Sequence, residues 1–238
     1  MIGCDCEVCT SADKRDNRLR SSVLIRSSNT TIAIDAGPDF RYQMLRAGVK
    51  HLDAIIFTHP HKDHVAGLDD VRAFNFFSGY PMQVYANELT QEVLIREFPY
   101  AFAELRYPGL PEITLNTIDM DPFEVGDISV LPVEVWHLKM PVLGFRFGNF
   151  TYITDANRIE RKEKEKIAGS EILVLNALRR EKHISHFTLD ESISLAKELK
   201  ASKTYFTHLS HQMGTHDDVN KSLPPDVELA YDGLSFSV

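Results

Sequence analysis

The feature that most constrains this chain is a short segment dense in metal-binding side chains. Ala54–Phe57 is an apolar run of strand length, and it leads directly into Thr58-His59-Pro60-His61-Lys62-Asp63-His64. Imidazole and carboxylate groups together are typical ligands of zinc, manganese or iron. Loops at the ends of strands are also where binding sites are commonly built. The segment therefore predicts a metal site at the end of a strand.

Three further candidate ligands each stand immediately after a strand-like run, namely His137, Asp155 and His208. If those strand ends converge on the histidine segment, the ligands are sufficient for two ions. The predicted dinuclear site has three ligands for a first ion, three for a second and one bridging carboxylate: His59, His61 and His137; Asp63, His64 and His208; and Asp155.

The cysteines indicate a second kind of metal site. Cys4, Cys6 and Cys9 are the only cysteines of the chain, and they lie within six residues. An odd number at such close spacing disfavours a disulfide framework and favours metal ligation. His211, three residues after His208, is the expected fourth ligand of a closed, structural zinc site.

Alternating strand and helix patterns predict a mixed α/β fold. The chain of 238 residues is expected to form one domain, 1–238. Strands are predicted at Ser22–Arg26, Thr31–Asp35, Ala54–Thr58, Gln83–Ala86, Ile128–Val133, Gly144–Phe147, Phe150–Thr154, Ile172–Asn176, Thr204–Thr207, Glu228–Tyr231 and Ser235–Val238. Helices are predicted at Asp39–Ala47, Leu89–Phe98, Arg158–Ala168, Leu189–Leu199 and Asp217–Leu223, and a long loop at Tyr100–Met120.

The order His-x-His-x-Asp-His, followed by a distant His, an Asp and a His, resembles the metallo-β-lactamase superfamily over nearly the whole chain. The resemblance implies an αββα four-layer sandwich. It also implies that Asp35 makes a hydrogen bond into the metal loop. Relatives usually begin with a short strand before the cysteines, whereas Met1 stands just ahead of Cys4 here. Two interpretations stay open: the chain is truncated at its N-terminus, or the sheet has lost its first edge strand.

Within the superfamily, the cysteine site and the run Asp16-Asn17-Arg18-Leu19-Arg20-Ser21-Ser22 are similar to the PhnP-type cyclic phosphodiesterase branch. This resemblance implies hydrolysis of a small, including cyclic, phosphodiester by hydroxide bound to two divalent ions, zinc or manganese, with iron as an alternative. Asp63 and Asp155 would hold the ions and the hydroxide. His186 would be the general acid or a phosphate contact, with His183 as the competing candidate.

Three alternative functions remain open on the sequence: an RNA-processing nuclease, a thioester or lactone hydrolase of the same fold, and a non-catalytic PqqB-like binding protein. The net charge of −8 gives no general attraction to nucleic acid, so the expected partner is a small molecule. The N-terminus does not resemble a secretory signal, and the apolar runs are too short to cross a membrane, which predicts a cytoplasmic protein. Because several relatives pair, a homodimer is a further expectation.

Overall fold

The computed structural model describes residues 1–103 and 107–238. It contains two compact units, which we call the central unit, Arg20–Pro132, and the terminal unit, Met1–Leu19 together with Val133–Val238. The prediction of one domain over 1–238 stays a prediction. None of the helices in the described ranges is long and apolar enough to cross a membrane.

The central unit contains a five-stranded sheet in the order β1-β2-β3-β4-β5. Its strands are β1 (Val23–Arg26), β2 (Thr31–Ile34), β3 (Ala54–Ile56), β4 (Met82–Ala86) and β5 (Ile113–Thr117). β1 is antiparallel to β2, and the other neighbours are parallel. The carboxyl ends of β2 and β3 therefore meet at one edge of the sheet, which is where the histidine segment begins.

Helices accompany this sheet and supply its apolar core. They are α1 (Phe40–Arg46), α2 (Lys62–Val65), α3 (Arg72–Ser78), α4 (Glu88–Glu97) and α5 (Pro99–Phe102), with a 3-10 helix at Leu68–Val71. The fully buried core includes Phe40 from α1 and Leu94 from α4, packed with Ile55 and Phe57 at β3. Burying these side chains stabilises the sheet edge that carries the candidate site.

The second sheet has eight strands in the order β10-β7-β8-β9-β11-β12-β13, and β6 pairs with the first residues of β7. The strands are β6 (Phe123–Val125), β7 (Ile128–His137), β8 (Met140–Phe147), β9 (Phe150–Ile153), β10 (Arg158–Ile159), β11 (Ile172–Asn176), β12 (Lys203–Thr207) and β13 (Val227–Leu229). The helices of the terminal unit are α6 (Arg161–Ile167), α7 (Leu189–Leu199) and α8 (His216–Asn220), with a 3-10 helix at Lys14–Asp16. β9, β11, β12 and β13 are parallel neighbours, so their carboxyl ends share one edge.

Helix α7 begins where the sequence predicted. Thr188 accepts a hydrogen bond from the backbone N–H of Glu191, whose carboxylate in turn accepts one from the backbone N–H of Thr188. This reciprocal capping box satisfies amide groups that the first helical turn leaves without intrahelical acceptors. The bounds of α7 and β11 agree with the prediction at both ends.

Three predicted features were wrong in whole or in part. The helix predicted at Arg158–Ala168 begins only at Arg161, because Arg158–Ile159 pairs with β7 as strand β10. Ser235–Val238 forms no strand; instead, the ring of Phe236 packs 5.5 Å from Tyr205 and 5.6 Å from Phe150, so an apolar side chain is anchored without backbone pairing. The predicted loop Tyr100–Met120 contains the end of α5 and the edge strand β5, whose half-exposed polar residues give only weak alternation. Residues 104–106 of that predicted loop lie outside the described residues.

Candidate metal centre

The histidine segment of the central unit follows β3 and runs into the short helix α2. His59 and His64 are buried, whereas His61 is exposed and Asp63 is half-buried. The ring centroid of His59 lies 4.7 Å from that of His61 and 4.2 Å from that of His64. The ring of His59 thus packs against both other imidazoles, which is a dense arrangement of nitrogen ligands.

Asp35, which follows β2, is fully buried and organises this segment. Its carboxylate accepts hydrogen bonds from the backbone N–H of Thr58 at 2.8 Å, from the Thr58 hydroxyl at 2.8 Å and from Nδ1 of His64 at 2.7 Å. The expected hydrogen bond from Asp35 into the metal loop is therefore confirmed. Burial raises the pKa of Asp35, and the charge and hydrogen bond of His64 oppose that shift.

These hydrogen bonds also fix the histidine tautomers. Because an ionised carboxylate only accepts, Nδ1 of His64 carries the ring proton. The Thr58 hydroxyl donates to Asp35 and therefore accepts from Nδ1 of His59 at 2.9 Å. Both rings consequently present the lone pair of Nε2, which is the form of histidine that binds a metal ion.

The loop that precedes α1 packs against the histidine segment with almost no space between the two backbones. The backbone N–H of Ala36 donates to the carbonyl of His64 at 2.8 Å, and the N–H of Gly67 donates to the carbonyl of Ala36 at 2.8 Å. A Cβ placed on Gly37 would lie 2.1 Å from the carbonyl oxygen of Asp63. Only glycine permits this approach, which sets the position of the Asp63 backbone.

In the terminal unit, candidate ligands lie at the strand ends as the sequence predicted. His137 ends β7, Asp155 follows β9 and His208 follows β12. The Nε2 atom of His208 lies 3.1 Å from Oδ1 of Asp155, and Nδ1 of His137 lies 3.0 Å from the backbone carbonyl of Asp155. Asp155 and His208 both have positive φ values of 55°, a conformation that non-glycine residues adopt rarely and that clusters at functional sites.

His186 joins this terminal-unit cluster from the loop between β11 and α7. Its ring centroid lies 4.5 Å from that of His137 and 4.9 Å from that of His208, and its Nδ1 lies 3.6 Å from Oδ1 of Asp155. Burial lowers the pKa of His186 to about 3, while the Asp155 carboxylate opposes the shift. His183, the competing candidate, is half-buried at a ring distance of 5.1 Å from His186.

Two asparagines that support this cluster were missed by sequence reasoning. Asn176 accepts from the backbone N–H of Ala156 at 2.8 Å and donates to the Ala156 carbonyl at 2.9 Å. Asn157 accepts from the N–H of Leu138 at 3.0 Å and donates to the carbonyl of Ile184 at 2.9 Å. Asn157 thereby links the chain beside His137 to the loop that carries His186. The only signal for Asn157 in the sequence was its place two residues after Asp155.

The cysteine residues and His211 form a separate cluster, also within the terminal unit. One ligand atom from each of Cys4, Cys6, Cys9 and His211 lies within 4.8 Å of the others. The Nδ1 atom of His211 lies 3.3 Å from the Cys4 sulfur and 3.4 Å from the Cys6 sulfur. The hydrogen bond from His211 lowers the pKa of Cys6 to about 6, which favours the thiolate form that binds metal. Three sulfurs and one imidazole fit a tetrahedral zinc site.

Comparison with known proteins identifies the family of this chain. A family model described as the β-lactamase superfamily domain matches residues 30–209. The chain belongs to the metallo-β-lactamase superfamily. Membership confirms the predicted fold class, with two sheets and accompanying helices, and places the chain in a family that consists largely of metal-dependent hydrolases.

Individual relatives of this superfamily member differ in their described activities. A crystal structure of a new diphosphatase from the PhnP family matches with a TM-score of 0.92 and 42% identity, covering 98% of this chain and 89% of that chain. An octanoyltransferase from Porphyromonas gingivalis is 37% identical over 98% of this chain but only 48% of that protein. A ribonuclease Z from Bradyrhizobium is 28% identical over 55% of this chain and 44% of that protein. The chain spans about half the length of these curated relatives.

Proposed function

We propose that this protein is a metal-dependent hydrolase of a small molecule in which the attacked phosphorus belongs to a phosphodiester or a substituted diphosphate. The observation that carries the proposal is the match to the PhnP-family diphosphatase, at 42% identity over 98% of this chain. The histidine tautomers support it, because His59, His64 and His137 each have Nδ1 engaged by an oxygen and present Nε2 to a metal ion.

The ligand sets predicted from the sequence remain our proposal for the ions. In that assignment His59, His61 and His137 hold one ion, Asp63, His64 and His208 hold the other, and Asp155 bridges them. We propose zinc or manganese, with iron as the alternative, because this mixture of nitrogen and oxygen ligands accepts all three. A further zinc would be held by Cys4, Cys6, Cys9 and His211.

When bound, two divalent ions lower the pKa of water and offset the negative charge of phosphoryl oxygens. The side chains supply orientation and hydrogen bonds. Asp35 and Thr58 hold the rings of His59 and His64, so that the nitrogen lone pairs keep one direction throughout turnover. His186 is neutral because burial lowers its pKa to about 3, and it still carries one ring N–H. We propose that this N–H donates a hydrogen bond to a phosphoryl oxygen or to the departing oxygen, which takes its proton from water.

A variant of one proposed ligand tests site and reaction together. Purified wild type and Asp63→Ala are compared for metal content and for hydrolysis of bis(p-nitrophenyl) phosphate, with and without added manganese. Asp121→Ala removes an exposed aspartate of the same unit and is the matched control. We expect about three metal equivalents in wild type and in the control, and loss of at least one equivalent and of diesterase activity in Asp63→Ala. One equivalent in wild type with no turnover would contradict the proposal.

Two alternative reactions can be tested with the same preparations. The octanoyltransferase similarity favours acyl transfer or thioester hydrolysis, although that name belongs to a protein about twice as long as this chain. An octanoyl thioester is therefore included as a substrate, and a precursor transfer RNA tests the ribonuclease alternative. The reference substrates are bis(p-nitrophenyl) phosphate and a dinucleoside diphosphate. If the thioester or the transfer RNA is turned over faster than both reference substrates, our proposal is wrong. Metal content without turnover of any substrate would favour a PqqB-like binding role.

We also propose, from the sequence, a cytoplasmic location, no nucleic-acid or membrane partner and a homodimeric state. The net charge of −8 supports the absence of a nucleic-acid partner, because phosphate backbones are bound mainly by an excess of lysine and arginine. Light scattering coupled to size-exclusion chromatography measures the oligomeric state directly, and a monomer mass at micromolar concentration would refute the dimer.

A further inference from the structure

The run from Asp16 to Ser22 contains two arginines with very different surroundings. The Arg18 side chain is only 15% exposed and lies 3.7 Å from the carboxylate of Asp16. Its Nε also donates to the carbonyl of Ala230 at 3.5 Å. Arg18 is therefore part of the packing of the terminal unit. Arg20, by contrast, belongs to the central unit and has a side chain that is 59% exposed.

The backbone of Arg20 is held in place although its side chain is exposed. Its N–H donates to the carboxylate of Asp39 at 2.8 Å, and its carbonyl accepts from the side-chain amide of the buried Gln43 at 2.8 Å. A Cβ placed on Gly37 would lie 3.4 Å from the Cβ of Arg20, so Arg20 lies beside the loop that contacts the backbone of Asp63. The Cα of Arg20 is consequently fixed relative to the histidine segment.

The guanidinium of Arg20 lies beside a proposed metal ligand. Its Nη1 is 3.9 Å from Oδ2 of Asp63, which is too long for a hydrogen bond. An exposed ion pair at this distance contributes little to folding stability. Within residues 1–103 and 107–238, no acceptor lies within hydrogen-bond distance of the guanidinium, and the side chain is 59% exposed, so its N–H donors are available to an incoming acceptor.

The charge balance around Asp63 shows why a cation is useful there. The chain carries a net charge of −8, and Asp63 adds a carboxylate at the proposed site. Both repel an anionic phosphate. The histidine segment itself contains one lysine, Lys62. Lys62 donates a hydrogen bond to Glu97, so its charge is already compensated. Among the residues that the structure describes, no carboxylate forms such a close pair with Arg20.

We propose that Arg20 is a substrate-binding residue that donates hydrogen bonds to the non-bridging phosphate oxygens of an anionic phosphoester as it reaches Asp63. The inference rests on the proposed function and deepens it, because it assigns specificity for anionic over neutral substrates to one side chain. A planar guanidinium can donate two parallel hydrogen bonds to a phosphate, whereas a lysine ammonium offers a point charge.

The test compares Arg20→Ala and Arg20→Lys with Arg41→Ala, which removes an exposed arginine from α1 in the same unit. We measure KM and kcat for bis(p-nitrophenyl) phosphate, and the Kd of inorganic phosphate by calorimetry on the metal-loaded protein. Loss of a charge-assisted hydrogen bond predicts that Arg20→Ala raises KM and the phosphate Kd by about 10- to 100-fold. Arg20→Lys should recover only part of the loss, and Arg41→Ala should match wild type.

The metal content of the variants separates a role in substrate binding from a role in orienting Asp63. If Arg20 only orients Asp63, Arg20→Ala will lose metal, and that result would overturn the proposal. Unchanged KM and phosphate Kd would overturn it equally. If wild type fails to hydrolyse any phosphoester, the proposed function fails, but the phosphate Kd of the variants still decides whether Arg20 binds the anion.

Discussion

Replacing Asp35 with asparagine should impair metal binding without unfolding the chain. Asp35 has a φ of 64°, a left-handed conformation that asparagine tolerates better than most other residues. The backbone N–H of Thr58 can only donate, so the oxygen of the new amide will face Thr58. The NH₂ group will then face Nδ1 of His64, where the carboxylate now accepts at 2.7 Å.

The amide forces His64 into the wrong tautomer. With a donor facing Nδ1, the ring must carry its proton on Nε2, the nitrogen that we propose binds the ion. Loss of such an orienting partner typically lowers metal affinity about 10- to 100-fold. At about 1.4 kcal/mol for each factor of ten, this equals roughly 1.4–2.7 kcal/mol of binding free energy. We therefore expect the Asp35→Asn variant to bind its active-site metal about 10- to 100-fold more weakly than wild type.

Competition titration with a chromophoric chelator measures this affinity, and circular dichroism checks the fold. Asp53→Asn is the matched control, because Asp53 also accepts from a backbone N–H, that of Thr31 at 2.7 Å, and contacts a histidine, His51, at 2.8 Å. His51 is not a proposed ligand, so Asp53→Asn should leave metal affinity unchanged. Wild-type affinity in a folded Asp35→Asn protein would refute the tautomer argument.

Four further predictions concern the supporting structure. Asn157→Asp replaces the amide that donates to the carbonyl of Ile184, in the loop that carries His186, with a carboxylate that can only accept. This variant should lower kcat/KM for the diester about tenfold with metal content retained. Gly37→Ala should destabilise the protein by about 1–3 kcal/mol in urea unfolding, because the new Cβ would overlap the Asp63 carbonyl. Cys9→Ser should remove one metal equivalent by elemental analysis and leave the active-site ions in place. Burial lowers the pKa of His216, so the unfolded state binds more protons and the free energy of unfolding should fall as the pH drops below about 6.5, by at most about 1.4 kcal/mol per pH unit.

The outcomes that would count against these four differ. Wild-type kcat/KM in Asn157→Asp would show that the link between the loops is dispensable. An unchanged urea midpoint in Gly37→Ala would show that the loop can move aside. Retention of all metal in Cys9→Ser would mean that the cysteine cluster binds none. For His216, the control is His216→Gln, whose unfolding free energy should vary less between pH 7 and pH 5 than that of wild type; equal slopes would refute the assignment.

The sequence alone determined those parts of the protein in which interacting residues are close along the chain. The histidine segment and the cysteine cluster could be identified because ligands a few residues apart must also be close in space. Helix α7 could be placed to the residue because its capping box, Thr188 and Glu191, is a local pattern. The edge strand β5 could not, because its half-exposed polar side chains leave no strong periodicity, and its pairing with β4 is what makes it a strand.

Contacts between distant residues were decided only by the tertiary structure. The hydrogen bonds from Thr58 and His64 to Asp35 set the ring tautomers, yet these partners are more than twenty residues apart in the chain. The sequence likewise gives Arg18 and Arg20 the same appearance, although one is buried beside Asp16 and the other faces solvent beside Asp63. The physical reason is that tautomer, charge compensation and exposure depend on which atoms surround a side chain, and folding brings those atoms from remote positions.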